Sequence, residues 1–106
     1  MGEKDRDKGR FSDLVTFVTL SRRTGIPRQT LMNWHKILKF PAVVPDGKVQ
    51  KMNPFKECSD ILKVFRKKQD KGFKRSVAAE KTLKSKKYRK IMKRFRKKYD
   101  GCEIIL

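Results

Sequence analysis

The sequence predicts a mainly α-helical fold with a small β-hairpin, followed by a strongly basic C-terminal helix. Three observations predict it. Apolar residues recur at helical spacing in three segments: Leu31, Trp34 and Leu38; Phe55, Cys58, Ile61, Leu62 and Phe65; and Tyr88, Ile91, Met92, Phe95 and Tyr99. Asp46-Gly47 lies between two short β-prone runs, Ala42-Val43-Val44 and Lys48-Val49-Gln50, a strong local hairpin signal. The net charge of +19 on 106 residues is uneven, with +5 on residues 1–60 and +14 on residues 61–106.

Residues 1–10 are nearly all charged or Gly. Such a composition buries nothing and predicts a flexible arm. Phe11, Leu14, Val15, Phe17, Val18 and Leu20 fit either a short strand leading into a helix or one continuous helix, with Thr16 or Thr19 as N-cap and an end at Thr24-Gly25. A second helix is predicted from Pro27 to about Leu38 or Lys39. After the hairpin, Asn53-Pro54 reads as N-cap and first-turn proline of a helix running to about Lys68. Gly72 is a helix stop, Ser76 the N-cap of a last helix, and Asp100-Gly101 its end. The predicted organisation is therefore an arm at 1–10, a domain at 11–70, and a basic amphipathic helix with a short apolar tail at 71–106.

With 37% hydrophobic and 39% charged residues the chain can build one small core, and a large enzyme around a buried cleft is excluded. No Gly-rich phosphate loop, metalloprotease helix or nucleophile elbow is present, so no enzymatic activity is expected. One histidine, His35, and two cysteines 44 positions apart, Cys58 and Cys102, assemble neither a zinc site nor a disulfide framework. No metal or cofactor is expected. Without a run of 18 apolar residues or a secretory leader pattern, a soluble protein of a reducing compartment is the expectation, cytoplasmic or nucleoid-associated.

The most informative segment runs from Thr19 to Lys39. Two helices crossing as a helix-turn-helix need an apolar residue in the first, a Gly at the turn, an apolar residue after it, and two buried residues three apart in the second. Leu20, Gly25, Ile26, Leu31 and Trp34 occupy those places in order. Left pointing outward from the second helix are Arg28, Gln29, Thr30, Asn33, His35 and Lys36. Arg pairs with guanine, and Gln and Asn with adenine. Trp34 reads as core, in line with Leu31 and Leu38, and His35 as a solvated surface histidine.

The run from Leu20 to Trp34, LSRRTGIPRQTLMNW, resembles the first helix, turn and recognition helix of the MerR-like winged helix-turn-helix group, which includes excisionases and the DNA-binding part of phage terminase small subunits. The resemblance covers about residues 14–68. It implies double-stranded DNA binding, with the second helix in the major groove and a wing near Asp46-Gly47-Lys48 against phosphate or the minor groove. Carried over by position, it assigns base contacts to Arg28, Gln29, Thr30 and Asn33, and phosphate contacts to Arg22, Arg23, Lys36, Lys48 and Lys51. Lys51-Met52-Asn53 departs from the Arg-Tyr pair that MerR regulators carry where the wing ends, and the long dimerisation helix and ligand-binding cysteines of those regulators are missing. Metal or drug sensing is therefore not implied.

From Lys71 to Tyr99 there are 14 basic residues and one acidic residue, Glu80. Such a density of like charge repels itself without a counter-charge. Duplex DNA is the expected partner, with Lys74, Arg75, Lys86, Lys87, Arg89 and Lys90 on phosphate. RNA of a ribonucleoprotein and an anionic membrane surface are the alternatives. The stripe Tyr88, Ile91, Met92, Phe95 and Tyr99 serves either as a packing face or as the seam of a homodimer. The expected role is architectural or regulatory, in recombination, packaging, segregation or transcription, alone or within a larger nucleoprotein machine.

Overall fold

The computed structural model describes residues 11–45 and 47–105. The expected arm at 1–10 and the wing residue Asp46 lie outside the described residues. In chain order the elements are β1 (Leu14–Val15), α1 (Phe17–Thr24), α2 (Arg28–Leu38), β2 (Ala42–Val44), β3 (Asn53–Pro54), α3 (Phe55–Asp70), α4 (Arg75–Leu83), α5 (Lys86–Lys98) and β4 (Glu103–Ile105). The fold is mainly helical with small antiparallel β pairs, β1 with β3 and β2 with β4.

Of the two readings of the first apolar segment, the structure takes the strand leading into a helix. The backbone of Thr16 is extended, and its side chain accepts a hydrogen bond from the Thr19 N–H at 3.3 Å, which caps α1 and ends β1. Gly25 closes α1 in the left-handed region at φ 72°, donating its N–H to the Ser21 carbonyl. A side chain there would be strained. The turn is fastened by the Ser21 hydroxyl on the Ile26 carbonyl (2.6 Å) and the Thr24 hydroxyl on the Leu20 carbonyl (2.7 Å). Pro27 is the N-cap of α2 and not its first helical residue.

The hairpin expected around Asp46-Gly47 returns to β2 through Met52: Val43 exchanges both backbone hydrogen bonds with Met52, each at 2.8 Å. Lys48-Val49-Gln50 is not a strand. The other edge of β2 is taken by β4, with Val43 opposite Ile104, Ala42 opposite Ile105 and Val44 opposite Glu103. Residues Glu103–Ile105 of the apolar tail thus form a strand beside β2.

Asn53 does not cap α3. It pairs with Val15 in the β1–β3 ladder, and its buried amide donates to the Pro41 carbonyl at 2.9 Å. The free N–H groups of α3 are met instead by Asp13, whose carbonyl accepts from Phe55 N (2.9 Å) and whose carboxylate accepts from Lys56 N (3.0 Å). A carboxylate at a helix N-terminus also suits the helix dipole.

The basic segment forms two helices, not one. Ser76 is inside α4, which starts at Arg75 with Lys74 as N-cap. The break falls at Lys84-Ser85, where the Ser85 hydroxyl accepts from the Tyr88 N–H (3.1 Å) and caps α5. α4 and α5 fold back onto α3, and their buried residues Ala78, Ala79, Ile91, Met92, Phe95 and Tyr99 join Leu20, Leu31, Leu38, Ile61 and Phe65 in one core. The stripe is therefore a packing face, and a seam through it would have to open this core. Trp34 is half-buried, its ring meeting Phe65 edge-on at 5.1 Å.

Glu57, on the first turn of α3, is fully buried, and one of its oxygens receives the Arg94 guanidinium of α5 at 3.2 Å. The same guanidinium reaches Asp60 at 2.6 Å. Hydrogen bonds to these carboxylates, Asp60 first, raise the Arg94 pKa and hold its charge. This cluster joins α3 to α5.

Candidate nucleic-acid interface

Turning about 100° per residue, a helix places residues at i, i+4 and i+8 along one side. In α2 that side carries Arg28, Met32 and Lys36, with Gln29 and Asn33 beside them, and all five are exposed. Gln29 donates to the Asn33 side chain at 3.3 Å, aligning two amides next to one another. Thr30 is half-buried at the margin of this face, beyond Asn33. Leu31 and Leu38, on the opposite side, are fully buried. The helix is thus held by its apolar side while a row of hydrogen-bonding side chains stays free of the core.

A cleft of about 600 Å3 separates this face from the segment between β2 and β3. Lys36 and Met32 line one wall, and Gln50 and Lys51 the other. His35 stands at its base and is not the solvated histidine expected: its Nδ1 accepts the Phe40 N–H at 3.1 Å, and its ring stacks on Phe40 and meets Phe17 edge-on. Burial, and secondarily the Lys51 charge, push its pKa below the ordinary value. Met32 and Gln50 were missed in the sequence. Met32 was legible from its i+4 spacing to Arg28, whereas Gln50 enters only because the loop folds back.

Lys48 and Lys51 are exposed between β2 and β3, where Lys48 donates its N–H to the Pro45 carbonyl at 3.0 Å. They share a hollow with Glu103 of β4. Arg22 and Arg23 are exposed in the last turn of α1, outside the cleft, with the Arg23 guanidinium 5.1 Å from the centre of the Phe55 ring.

Lys74 and Arg75 begin α4, and Lys86 and Lys87 begin α5, all exposed and with no acidic residue in either first turn. Cations at a helix N-terminus oppose the helix dipole, at about 0.3–1 kcal/mol each. Arg89 and Lys90 fall on different flanks of α5. Arg89 lines a groove of about 410 Å3 with Lys39, Lys93 and Arg96, over Leu83, Tyr88 and Met92 and with no acidic residue. Burial raises the Tyr88 pKa, against an opposing effect of Arg96. Lys87 and Lys90 line a different groove, against α3.

No family model, curated protein or solved structure matches this chain. The site therefore rests on its own geometry. Among the described residues no helix is long and apolar enough to cross a membrane, and no three His, Cys, Asp or Glu side chains come together as metal ligands. Both cysteines are free thiols, Cys58 buried and Cys102 half-buried.

Proposed function

We propose that this chain is a sequence-reading, double-stranded DNA-binding protein of the winged helix-turn-helix type, acting as an architectural or regulatory factor. The observation that carries the reading is the exposed face of α2: Arg28, Gln29, Asn33 and Lys36 stand together, clear of the core, beside a loop that offers Lys48 and Lys51. A helix with this face fits the major groove, where Arg pairs with guanine and Gln or Asn with adenine. Lys36 and Lys51, both lining the cleft, offer positive charge to the phosphates beside the inserted helix. Met32 offers an apolar contact to a thymine methyl. The uncompensated cations at the starts of α4 and α5 support a polyanionic partner.

Selection of bound sequences from a random duplex pool tests this reading. An enriched motif is expected, and its symmetry reports how many chains bind. Arg28→Ala and Asn33→Ala should each cost about 1–3 kcal/mol and relax one base pair, whereas Lys51→Ala should weaken all sequences alike and reduce the salt slope by about one. Equal binding of duplex DNA and structured RNA without an enriched motif would discard it in favour of RNA binding through the basic helices.

A further inference from the structure

A second basic groove, of about 530 Å3, runs between α3 and α5. Lys63, Arg66 and Lys67 line it from α3, and Lys87 and Lys90 from α5. No residue of α1, α2 or the wing borders it. Its direction follows from helix geometry. On α3, Phe65 faces inward and meets Trp34 of α2. Lys63 and Lys67 lie two residues to either side of Phe65, about 160° around the helix at 100° per residue. They point away from the recognition helix. On α5, Lys87 and Lys90 lie on one flank of the buried stripe, while Arg89, Lys93 and Arg96 lie on the other.

The groove also contains two carboxylates. Asp60 is engaged by Arg94 at 2.6 Å, and Asp70 stands at the C-terminal end of α3. The five cations keep the excess. The apolar floor, Val64 and Ile91, is 8% and 6% exposed. With Val64 and Ile91 nearly covered, the charged ends of the five cations are what a partner meets first, and they suit a chain of phosphates.

We propose that this groove holds the phosphate backbone of a second duplex, so that one chain joins two DNA segments, one on the α2 face and one on the α3–α5 face. The proposal rests on the reading that α2 binds duplex DNA. The two sites differ in kind. The first reads bases, and the second takes any sequence, because its lysines and arginines meet phosphates, which carry no sequence information.

The test is capture of a second duplex. One duplex carrying the selected motif is immobilised, the full chain is added, and retention of a labelled duplex of unrelated sequence is measured. The wild type should retain it. The variant Lys63→Gln, Arg66→Gln, Lys67→Gln should lose about tenfold or more of that retention while still binding the immobilised duplex within about threefold, since these α3 contacts act on the second segment. All three residues are exposed, and an unchanged thermal melt confirms that the variant folds. Arg28→Ala with Asn33→Ala should do the opposite, losing motif preference on the immobilised duplex first. If the wild type binds one duplex and retains no second, or if the triple variant still bridges, the groove is not a DNA site and the reading of α2 stands. If structured RNA or vesicles containing phosphatidylserine are retained in place of the second duplex, the groove serves another polyanion and the proposal falls. If no duplex binds at all, the reading of α2 falls and the proposal with it.

Discussion

Ile104 lies directly across from Val43, so the strand that opens into the Lys48–Lys51 loop is held on its outer edge by the last described residues of the chain. Val43 turns its own N–H and C=O to Met52. In an antiparallel ladder alternate residues face opposite partners, so Ala42 and Val44 turn theirs to β4. Proline at Ile105 or Glu103 should therefore remove a ladder hydrogen bond and cost about 1–2 kcal/mol more than proline at Ile104. Chemical denaturation of the three variants checks the order. Equal costs would place the hydrogen bonds elsewhere.

The Arg94 cluster makes a different kind of prediction. Glu57 is fully buried, its Oε1 takes Arg94, and its Oε2 has no hydrogen-bond partner among the described residues. Arg94→Ala should leave an uncompensated buried carboxylate and cost about 2–3 kcal/mol, less than a fully buried pair because the arginine is partly exposed. Glu57→Met in the same chain should recover much of that loss. Urea midpoints of the single and double variants measure it.

His35 links stability to pH. Burial depresses its folded-state pKa below the ordinary value near 6.5. A depressed pKa means that the unfolded chain takes up the proton first, so stability present above about 6.5 is lost as pH falls. Protonation also fills the Nδ1 lone pair that accepts the Phe40 N–H. His35→Asn, whose amide oxygen supplies a similar acceptor without titrating, should be less stable at neutral pH but show a flatter profile below it. Thermal melts from pH 7.5 to 5 decide the point.

The two thiols should separate kinetically. Cys58 is fully buried in the core, and burial, reinforced by Glu57 and Asp13, raises its pKa far above the ordinary thiol range. Cys102, half-buried beyond α5, has no such barrier to access. A thiol reagent should label Cys102 first and reach Cys58 only on unfolding. Equal labelling rates in the native protein would contradict the packing of α3.

Lys39 ends α2 in the left-handed region, at φ 52°. That conformation costs a side-chain-bearing residue about 1 kcal/mol. Lys39→Gly should therefore stabilise the fold by about 0.5–1 kcal/mol, while Lys39→Ala should not. Both should weaken nucleic-acid binding equally if the lysine contributes charge to the groove it shares with Arg89, Lys93 and Arg96. Paired melts and salt titrations of the two variants separate strain from charge.

What the sequence made legible was local. Leu20, Gly25, Ile26 and Leu31 announce two crossing helices, because each acts within a few residues of its partner. The exposed row on α2 follows from the same periodicity. Long-range pairings left no such trace. Nothing near Ile104 marks Val43 as its partner, and nothing near Phe55 marks Asp13 as the residue that caps it. Asp46-Gly47 signalled a hairpin returning through Lys48-Val49-Gln50, but Asn53 and Pro54 pair with β1 and the return to β2 is made at Met52. The break at Ser85 was hidden by good helix formers on both sides. Lys39, Lys93 and Arg96 were missed as a group because the groove exists only once α5 has folded back towards the end of α2.

Because α4 and α5 supply core residues to the whole molecule, the charge they carry is not an appendage that deletion could remove cleanly. Truncation beyond Lys71 would take away Phe95 and Tyr99, and the core that holds α2 would lose part of its support. The crowded cations around α3 and α5 repel one another in the free protein, and added salt relieves that repulsion. The same salt weakens any grip on phosphates. The free protein should thus melt higher as ionic strength rises, while the proposed complex with DNA should dissociate more readily. Duplex DNA should replace salt as the stabilising counter-charge, raising the melt most in the dilute buffers where the unbound fold is weakest.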